Sequence, residues 1–469
     1  MPVIDDKNKL KAKSDGIVSG EDLALFGQGI ANKIYGPRFT QRKFAIIFWI
    51  IIIAQLVDIT IGPLADIFRD FAVSFSGMSL FVGISIMYGF GQYSILRMVK
   101  LKNKEQDIKR SHFKMIEKVV TVVQYILIAI MAFVILQIFF ASQYYTAVLI
   151  IAVTISSGLA VYVLGVLAYW FLSWFITTKA PVVLIYGLAM AVATISAIAW
   201  IVLFNTILID KQAIITPQSD VVFPSASTWA NTVQTVSGVA SFILIWGGTV
   251  LLLRHNKHRI GSIKFWTLCS TPLIAYSTTY LSLYQTFGPA VPEDPIGSIM
   301  IPVLLVVYTA IAAATLIGLG FRSIANALSE GTFIKDYLII TSYGFILFFT
   351  TTMTSIAGAG YPPFGLVNVL LMGPLSFLIL TGLYRSAVSA AEDSNLRRSI
   401  KITAKKELKL IDYIATAEME QEIKNKVIAI TRANADQLTQ QSGIEPSLTT
   451  TEVQDLLAEL EKEIKEKKH

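Results

Sequence analysis

The sequence has few of the residues that build catalytic or metal centres. Among 469 residues it contains 1 cysteine, Cys269, and 4 histidines. A single cysteine excludes an internal disulfide and a cysteine-based metal cluster. The histidines lie at His112, His255, His258 and His469, outside the long apolar runs. This distribution removes the usual intramembrane ligands of haem and copper.

Familiar catalytic motifs are also absent from the sequence. It contains no Walker loop, no complete GxGxxG, no HExxH, no GxSxG and no CxxC. His255 and His258 are spaced like two metal ligands, but they lie in the basic stretch RHNKHR without an acidic or thiol neighbour. Such a stretch is more typical of a loop on the cytoplasmic side of a membrane. We therefore expect no enzyme activity, no metal and no cofactor.

Charged residues are sparse, whereas long apolar runs dominate the chain. Hydrophobic residues make up 54% of the sequence and charged residues 15%. A bilayer core needs about 20 helical residues per crossing, and uninterrupted apolar runs indicate helices. The predicted fold is all-α: a polytopic transmembrane helix bundle of about ten spans with a cytoplasmic helical C-terminal tail. The predicted spans are 44–61, 76–98, 118–141, 145–176, 181–209, 232–253, 265–287, 298–321, 336–357 and 365–384.

Three regions follow from this pattern: a cytoplasmic leader at 1–43, the bundle at 44–384 and the tail at 385–469. In the leader, apolar residues recur at helical spacing over 23–34. This spacing fits either a short interfacial helix or an irregular segment with scattered apolar residues. The fourth span, 145–176, is long for one crossing, so a single helix and a broken one are both open.

The loop charges predict the orientation of the chain. Fifteen Lys and Arg residues fall in loops on one side of the predicted spans, whereas only Arg69 and Lys211 fall on the other. Basic residues collect on the cytoplasmic side, so both termini are expected there. The same rule accounts for the formal net charge of +7, and we expect no nucleic-acid partner.

Small residues predict where the spans pack against each other. Ala189, Ala193 and Ala197 form a small-xxx-small face on the fifth span. A second such face on the eighth consists of Ala310, Ala314 and Gly318. These faces let helix backbones approach closely. Prolines at 272, 302 and 374 make kinks plausible in later spans.

The first span carries a candidate intramembrane polar site at Gln55 and Asp58. Asp58 is the one carboxylate well inside a predicted span, and Gln55 lies about one turn before it on the same face. Gly62-Pro63 is expected to end or break the helix just beyond. The simpler interpretation, an interfacial Asp58 that reaches headgroup water, is favoured over a binding or ion site. A Thr/Ser-rich stretch at 350–355 could line a polar path or bond its own helix backbone.

The tail is predicted to be helical and to have two interaction surfaces. Apolar residues recur at 400, 404, 408, 411, 415, 419, 423, 427 and 430, which indicates a long amphipathic helix. A basic stripe on it would contact either anionic lipid or only solvent; its residues are Arg398, Lys401, Lys405 and Lys409. Two heptads farther on suggest a cytoplasmic protein partner or self-association; they comprise Val453, Leu457, Leu460 and Ile464.

The junction between bundle and tail carries a family resemblance. It reads GLYRSAVSAAEDSNLRRSI, with YPPFGL before it and AEMEQEI and GIEPSL after it. This pattern resembles a group of uncharacterised multi-spanning membrane proteins from archaea, over about a third of the chain. The resemblance implies a prokaryotic plasma membrane and a tail that belongs to the fold. It implies no reaction, ligand or site residue.

Two functions remain open at this point. The direct junction between the last span and a structured tail favours a receptor-like or scaffolding protein, in which the bundle passes its state to the tail. The alternative is a secondary transporter or permease of a small, uncharged solute, which would use the polar groups around Asp58.

Overall fold

The computed structural model describes residues 41–67, 74–105, 111–141, 144–209, 214–215, 229–254, 257, 261–286, 295–326, 328, 333–358, 366–392 and 409–442. The leader helix predicted within 23–34 lies outside these residues. So do Arg398, Lys401, Lys405 and the heptad positions, which are Val453, Leu457, Leu460 and Ile464.

Eleven helices make up almost all of the described chain. They are α1 (Gln41–Ile67), α2 (Phe75–Glu105), α3 (Ser111–Ala141), α4 (Thr146–Thr178), α5 (Pro181–Ile209), α6 (Trp229–Leu253), α7 (Ser262–Thr286), α8 (Pro295–Asn326), α9 (Phe333–Gly358), α10 (Leu366–Glu392) and α11 (Lys409–Ser442). Two short strands, β1 (Tyr144–Tyr145) and β2 (Ile214–Ile215), pair antiparallel in front of α4 and after α5.

Helices α1 to α10 overlap the ten predicted spans, but in their described residues only eight of them are long and apolar enough to cross a membrane. The eight are α2 to α6 and α8 to α10. The described apolar part of α1, Ala45–Asp58, is shorter than a full crossing. Helix α7 is rich in Ser and Thr and does not reach the same apolar character. A helical membrane bundle is therefore confirmed.

Helix α10 lies at the centre of the bundle. It packs against α9 and α4 along most of its length, and also contacts α1, α2, α3 and α11. Every residue from Leu370 to Ala391 is buried. A helix buried on all sides has no lipid-facing stripe, so its sequence is free to carry small and polar residues among the apolar ones.

Glycines bring α10 close to its neighbours. A Cβ at Gly373 would lie 2.9 Å from the Ser156 carbonyl oxygen of α4. A Cβ at Gly382 would lie 2.8 Å from the Thr341 nitrogen and the Tyr337 oxygen of α9. Both distances are shorter than real Cβ contacts, so only glycine fits at these crossings.

The predicted small-residue faces are buried in helix contacts. Ala189, Ala193 and Ala197 are all buried on α5, and the Ser241 hydroxyl of α6 donates to the Ala189 carbonyl at 3.1 Å. On α8, Ala310 and Ala314 are buried, and Gly318 contacts the Ile346 side chain of α9. The expected close approach of these helices is confirmed.

Two expectations about individual helices are settled by the helix bounds. The fourth span is one continuous helix of 33 residues, about 50 Å long. The expectation that Gly62-Pro63 ends or breaks α1 just beyond Asp58 is wrong, because α1 continues to Ile67. Neighbouring groups in a membrane bundle compensate the hydrogen bond that a proline removes, and such prolines are tolerated inside helices.

The tail helix α11 packs on the bundle with its first three turns. Its buried apolar residues, here called the docking face, are Leu410, Ile411, Ile414, Ala415 and Ala417. They contact α10, α4 and α5. Farther along the predicted apolar stripe, Ile423 and Ile430 are 52% and 60% exposed. Within the described part of that stripe, Ile411 and Ala415 are therefore buried, whereas Ile423 and Ile430 are not.

Candidate functional site

The two polar residues predicted on α1 are both fully buried. Gln55 and Asp58 each have 0% exposure. They are three residues apart, so they lie on one face of the helix, and that face meets α9 and α10. The favoured expectation, that Asp58 reaches headgroup water, does not agree with this position, because neighbouring helices cover its side chain.

Two hydrogen bonds connect this face to α9 and α10. The Gln55 amide nitrogen donates to the Thr351 hydroxyl at 2.6 Å. The Asn368 amide nitrogen donates to Asp58 Oδ2 at 3.0 Å. Thr351 and Asn368 are also 0% exposed. These four residues form the candidate site and are called the polar cluster below.

Thr351 is the member of the Thr-rich stretch that takes part in the cluster. The flanking hydroxyls bond their own helix: Thr350 donates to the Ile346 carbonyl at 2.9 Å, and Thr352 to the Phe348 carbonyl at 2.5 Å. The interpretation that the stretch bonds its own helix backbone is therefore confirmed for these two residues. Backbone bonding satisfies the flanking threonines, and the central one faces α1.

The polar cluster contains acceptor oxygens that receive no hydrogen bond from the described part of the chain. They are Oε1 of Gln55 and Oδ1 of Asn368. The hydroxyl of Tyr88 on α2 is buried as well and has no described partner. Leaving a buried polar group without a partner costs about 1–3 kcal/mol. Such groups in a membrane bundle suggest a functional site.

At the opposite end of α10, Arg385 is buried with 2% exposure. Its guanidinium lies over the Phe113 ring of α3, 4.5 Å from the centroid. Phe113 stacks on Tyr384, and Tyr384 stacks on Trp170 of α4. Arginine on an aromatic face is stabilised by the ring quadrupole. This row of rings joins the ends of α3, α10 and α4.

An ion pair joins two further helices at the same end. Lys102 at the end of α2 pairs with Asp336 at the start of α9, with 2.8 Å between Nζ and Oδ2. The Tyr337 hydroxyl lies 3.3 Å from Oδ1 of Asn103. The predicted topology places these helix ends on the cytoplasmic side. The end of α2 and the start of α9, which these contacts join, are thus predicted by the loop charges to lie on the same side of the membrane.

The docking of α11 includes polar contacts to α4. The Trp174 indole nitrogen donates to Glu418 Oε2 at 3.0 Å, and both residues are buried. The Gln421 amide donates to the Ser173 hydroxyl at 2.6 Å. A charged acceptor strengthens the first of these bonds. Beside the docking face, Lys409 is exposed at the start of α11, and it is the one described member of the predicted basic stripe.

Sequence reasoning missed two residues that the structure brings to these sites, Asn368 and Glu418, whereas Thr351 lies in the Thr/Ser-rich stretch that the sequence had already marked. Thr351 and Asn368 lie about 300 residues from their partners. Asn368 has an amide side chain near the start of an apolar span. Because inserting a polar side chain into lipid costs free energy, its presence there could have indicated a functional position. Glu418 is an acidic residue among charged neighbours, and nothing in its local sequence marks it as buried.

Comparison with known proteins adds nothing to this description, because no family model, curated protein or solved structure matches the chain. In the described residues, no group of three or more His, Cys, Asp or Glu side chains is arranged to hold a metal ion.

Proposed function

We propose that this integral membrane protein is receptor-like or scaffolding, and that its bundle is coupled to a cytoplasmic helical tail that binds a partner. Eight long apolar helices support the membrane assignment. The proposal adds the finer features: ten spans, both termini in the cytoplasm, the plasma membrane as location, and kinship with the archaeal family that the junction resembles.

The position of α10 is the observation that carries the proposal. Near its start, Asn368 bonds Asp58 of the polar cluster. The same helix also contacts the docked tail helix α11. Every side chain from Leu370 to Ala391 is packed against protein. A buried helix cannot shift at one end without repacking its neighbours, because protein interiors are close-packed.

The contacts of α11 with the bundle are suited to a switch between a docked and an undocked tail helix. Five buried apolar residues and two hydrogen bonds hold it. The interface is small beside the bundle, so a shift of α4 or α10 can alter it without unfolding the spans. The exposed part of α11, which includes Ile423 and Ile430, remains available for a partner.

Cysteine labelling of α11 tests the coupling. In a Cys269→Ala background, Ala415→Cys places a thiol in the docking face, and reaction with a maleimide in nanodiscs reports its undocking. We expect Asp58→Asn to change the labelling rate about fivefold or more, because coupling between two sites typically changes an equilibrium by at least this factor. Glu418→Gln should increase the rate directly, because it weakens the bond to Trp174.

Ser376→Ala is the matched control for this experiment. Ser376 is buried on α10 but bonds its own backbone at the Met372 carbonyl, 2.8 Å away. Its loss should leave labelling at position 415 unchanged. Equal rates in the parent and Asp58→Asn proteins, with a faster Glu418→Gln protein, would refute coupling between the polar cluster and the tail.

The alternative is a secondary transporter or permease of a small, uncharged solute. A buried polar cluster between three helices favours it, as do prolines inside α7, α8 and α10. Swelling of proteoliposomes in glycerol or urea, followed by light scattering, tests it. A transporter should swell faster than its Asp58→Asn variant, and equal rates would count against transport of these solutes.

A further inference from the structure

We propose that the polar cluster binds a monovalent metal cation of the size of Na⁺. In the proposed function, a change at the polar cluster is the input that the bundle passes to the tail. The present proposal names the class of ligand that would cause this change, and in this respect it rests on the proposed function. Cation binding itself can be measured without any reference to the tail.

The arrangement of oxygens around Asp58 supports this ligand. Asn368 points its amide nitrogen at Asp58 Oδ2, 3.0 Å away, and its own carbonyl oxygen has no described donor. Bond lengths place the oxygen and nitrogen of one amide about 2.2 Å apart. Asn368 Oδ1 therefore lies within about 5 Å of the Asp58 carboxylate.

The same relation holds on α9. The Gln55 nitrogen lies 2.6 Å from the Thr351 hydroxyl, so Oε1 of Gln55 lies within about 5 Å of that oxygen. Hard cations of this size bind oxygens at about 2.4 Å, and one ion can bridge ligands up to about 5 Å apart. Carboxylate, amide and hydroxyl oxygens are the ligands that such cations prefer.

The charge of the cluster matches a monovalent ion. Gln55, Thr351 and Asn368 are neutral, so the four side chains carry one negative charge, on Asp58. A donor set of one carboxylate and three neutral side chains matches the charge of a monovalent cation and not that of Mg²⁺ or Ca²⁺. Buried charge that is not compensated is expensive. A divalent ion would more often be given several carboxylates.

A cation satisfies more of these groups than the two simpler alternatives. A proton on Asp58 would make it a donor to one oxygen only. A purely structural set of interhelical hydrogen bonds leaves Oε1 of Gln55 and Oδ1 of Asn368 without a donor. A cation beside Asp58 gives Oδ1 of Asn368 a partner, and Gln55, three residues from Asp58 on the same helix face, is the nearest source of a further oxygen.

Such a site would tie three helices together. Gln55 and Asp58 belong to α1, Thr351 to α9 and Asn368 to α10. A bound cation is therefore expected to stabilise the assembled bundle, because it binds the folded arrangement and not the separated helices.

Thermal unfolding of the purified protein in detergent tests the proposal. The Tm is measured in NaCl, KCl and choline chloride at constant ionic strength and pH. We expect a saturable rise of the Tm with Na⁺ that choline does not produce. Asp58→Asn should abolish this rise and Asn368→Ala should weaken it, whereas Ser376→Ala should retain it.

Three results would overturn the proposal. One is a Tm that does not depend on the cation. Another is a Na⁺-dependent rise that persists in Asp58→Asn, which would place the ion elsewhere. The third is a Tm that responds to pH but not to Na⁺, which would identify a proton as the ligand.

If the Asp58→Asn protein does not fold, a second measurement is needed. The binding of ²²Na⁺ to the purified protein is then measured directly in a scintillation proximity assay. Thr351→Val, which removes a single oxygen, should weaken ²²Na⁺ binding about tenfold relative to the parent protein, and unchanged binding would contradict the site. The labelling assay at position 415, repeated with and without Na⁺, separates the two proposals. Na⁺ binding without any change in labelling would support the site and refute the coupling.

Discussion

Helices α3 and α10 are opposites in this bundle. Of the eight long apolar helices, α3 is the most apolar by mean hydropathy, yet only 28% of its apolar window is buried. Helix α10 is among the three least apolar, and its window is buried completely. In a water-soluble protein the more apolar helix would be inside. Here the more apolar helix lies on the surface of the bundle, and protein covers the helix with Ser, Thr, Asn and Arg.

The difference shows what holds the bundle together. Lipid chains are as apolar as leucine, so apolar character alone does not bring α3 into the centre. Helix α10 is held by close backbone approach and by polar contacts at both ends. Substitutions should therefore be costly on α10 and inexpensive on α3.

The largest effect is expected for Gly382→Val on α10. Its side chain would be forced against the backbone of α9 at Tyr337 and Thr341. Overpacking of this kind costs about 3 kcal/mol where backbone must move. We expect loss of the monodisperse peak in size-exclusion chromatography, or a large drop in the Tm. Ala129→Val on the exposed face of α3 is the matched control and should behave like the parent protein.

A normal Tm for Gly382→Val would show that α9 and α10 can separate without cost. The central place of α10 in the stability of the bundle would then be wrong.

An intermediate and local effect is expected for Trp174→Phe. The change removes the indole donor to the buried Glu418 carboxylate while it preserves a ring. Loss of such a bond costs about 1–3 kcal/mol. Because the contact lies between α4 and α11, the cost should appear as faster amide hydrogen exchange in residues 410–418, with the spans unaffected. Trp229→Phe, at a 67% exposed position, is the control.

Unchanged exchange over 410–418 in the Trp174→Phe protein would mean that the apolar docking face alone holds α11.

The smallest effect is expected for Phe139→Leu on α3. Phe139 is 68% exposed and lies on a surface that lipid covers, so either side chain finds an apolar environment. The change in the Tm should correspond to a change of no more than about 0.5 kcal/mol in the free energy of unfolding. A large loss would show that this surface of α3 contacts another protein, for instance a second copy of the chain.

The order of the helices along the chain could be predicted from the sequence, but their neighbours across the bundle could not. Apolar runs locate α1 to α10, and small residues such as Ala189 and Ala310 identify faces that pack. Hydropathy reports how well a helix tolerates lipid. It contains no information on which helix touches which, so the central position of α10 was not foreseen.

The polar cluster illustrates the same limit. Asp58 was recognised because a carboxylate in an apolar run is unusual. Its expected contact with headgroup water was wrong, because that expectation considered α1 alone. One partner of Asp58 is Asn368, 310 residues away in sequence. Only the assembled bundle brings the two together.

The uneven burial of α11 has a mechanical consequence. Polar contact with α4 is described as far as Gln421, and the helix then continues to Ser442. At 1.5 Å per residue, this length is about 30 Å. A rigid rod of that length, turned by about 10° at its base, moves its tip by about 5 Å, as far as one helical turn. A rearrangement too small to disturb the spans could thus become a displacement that a partner can detect.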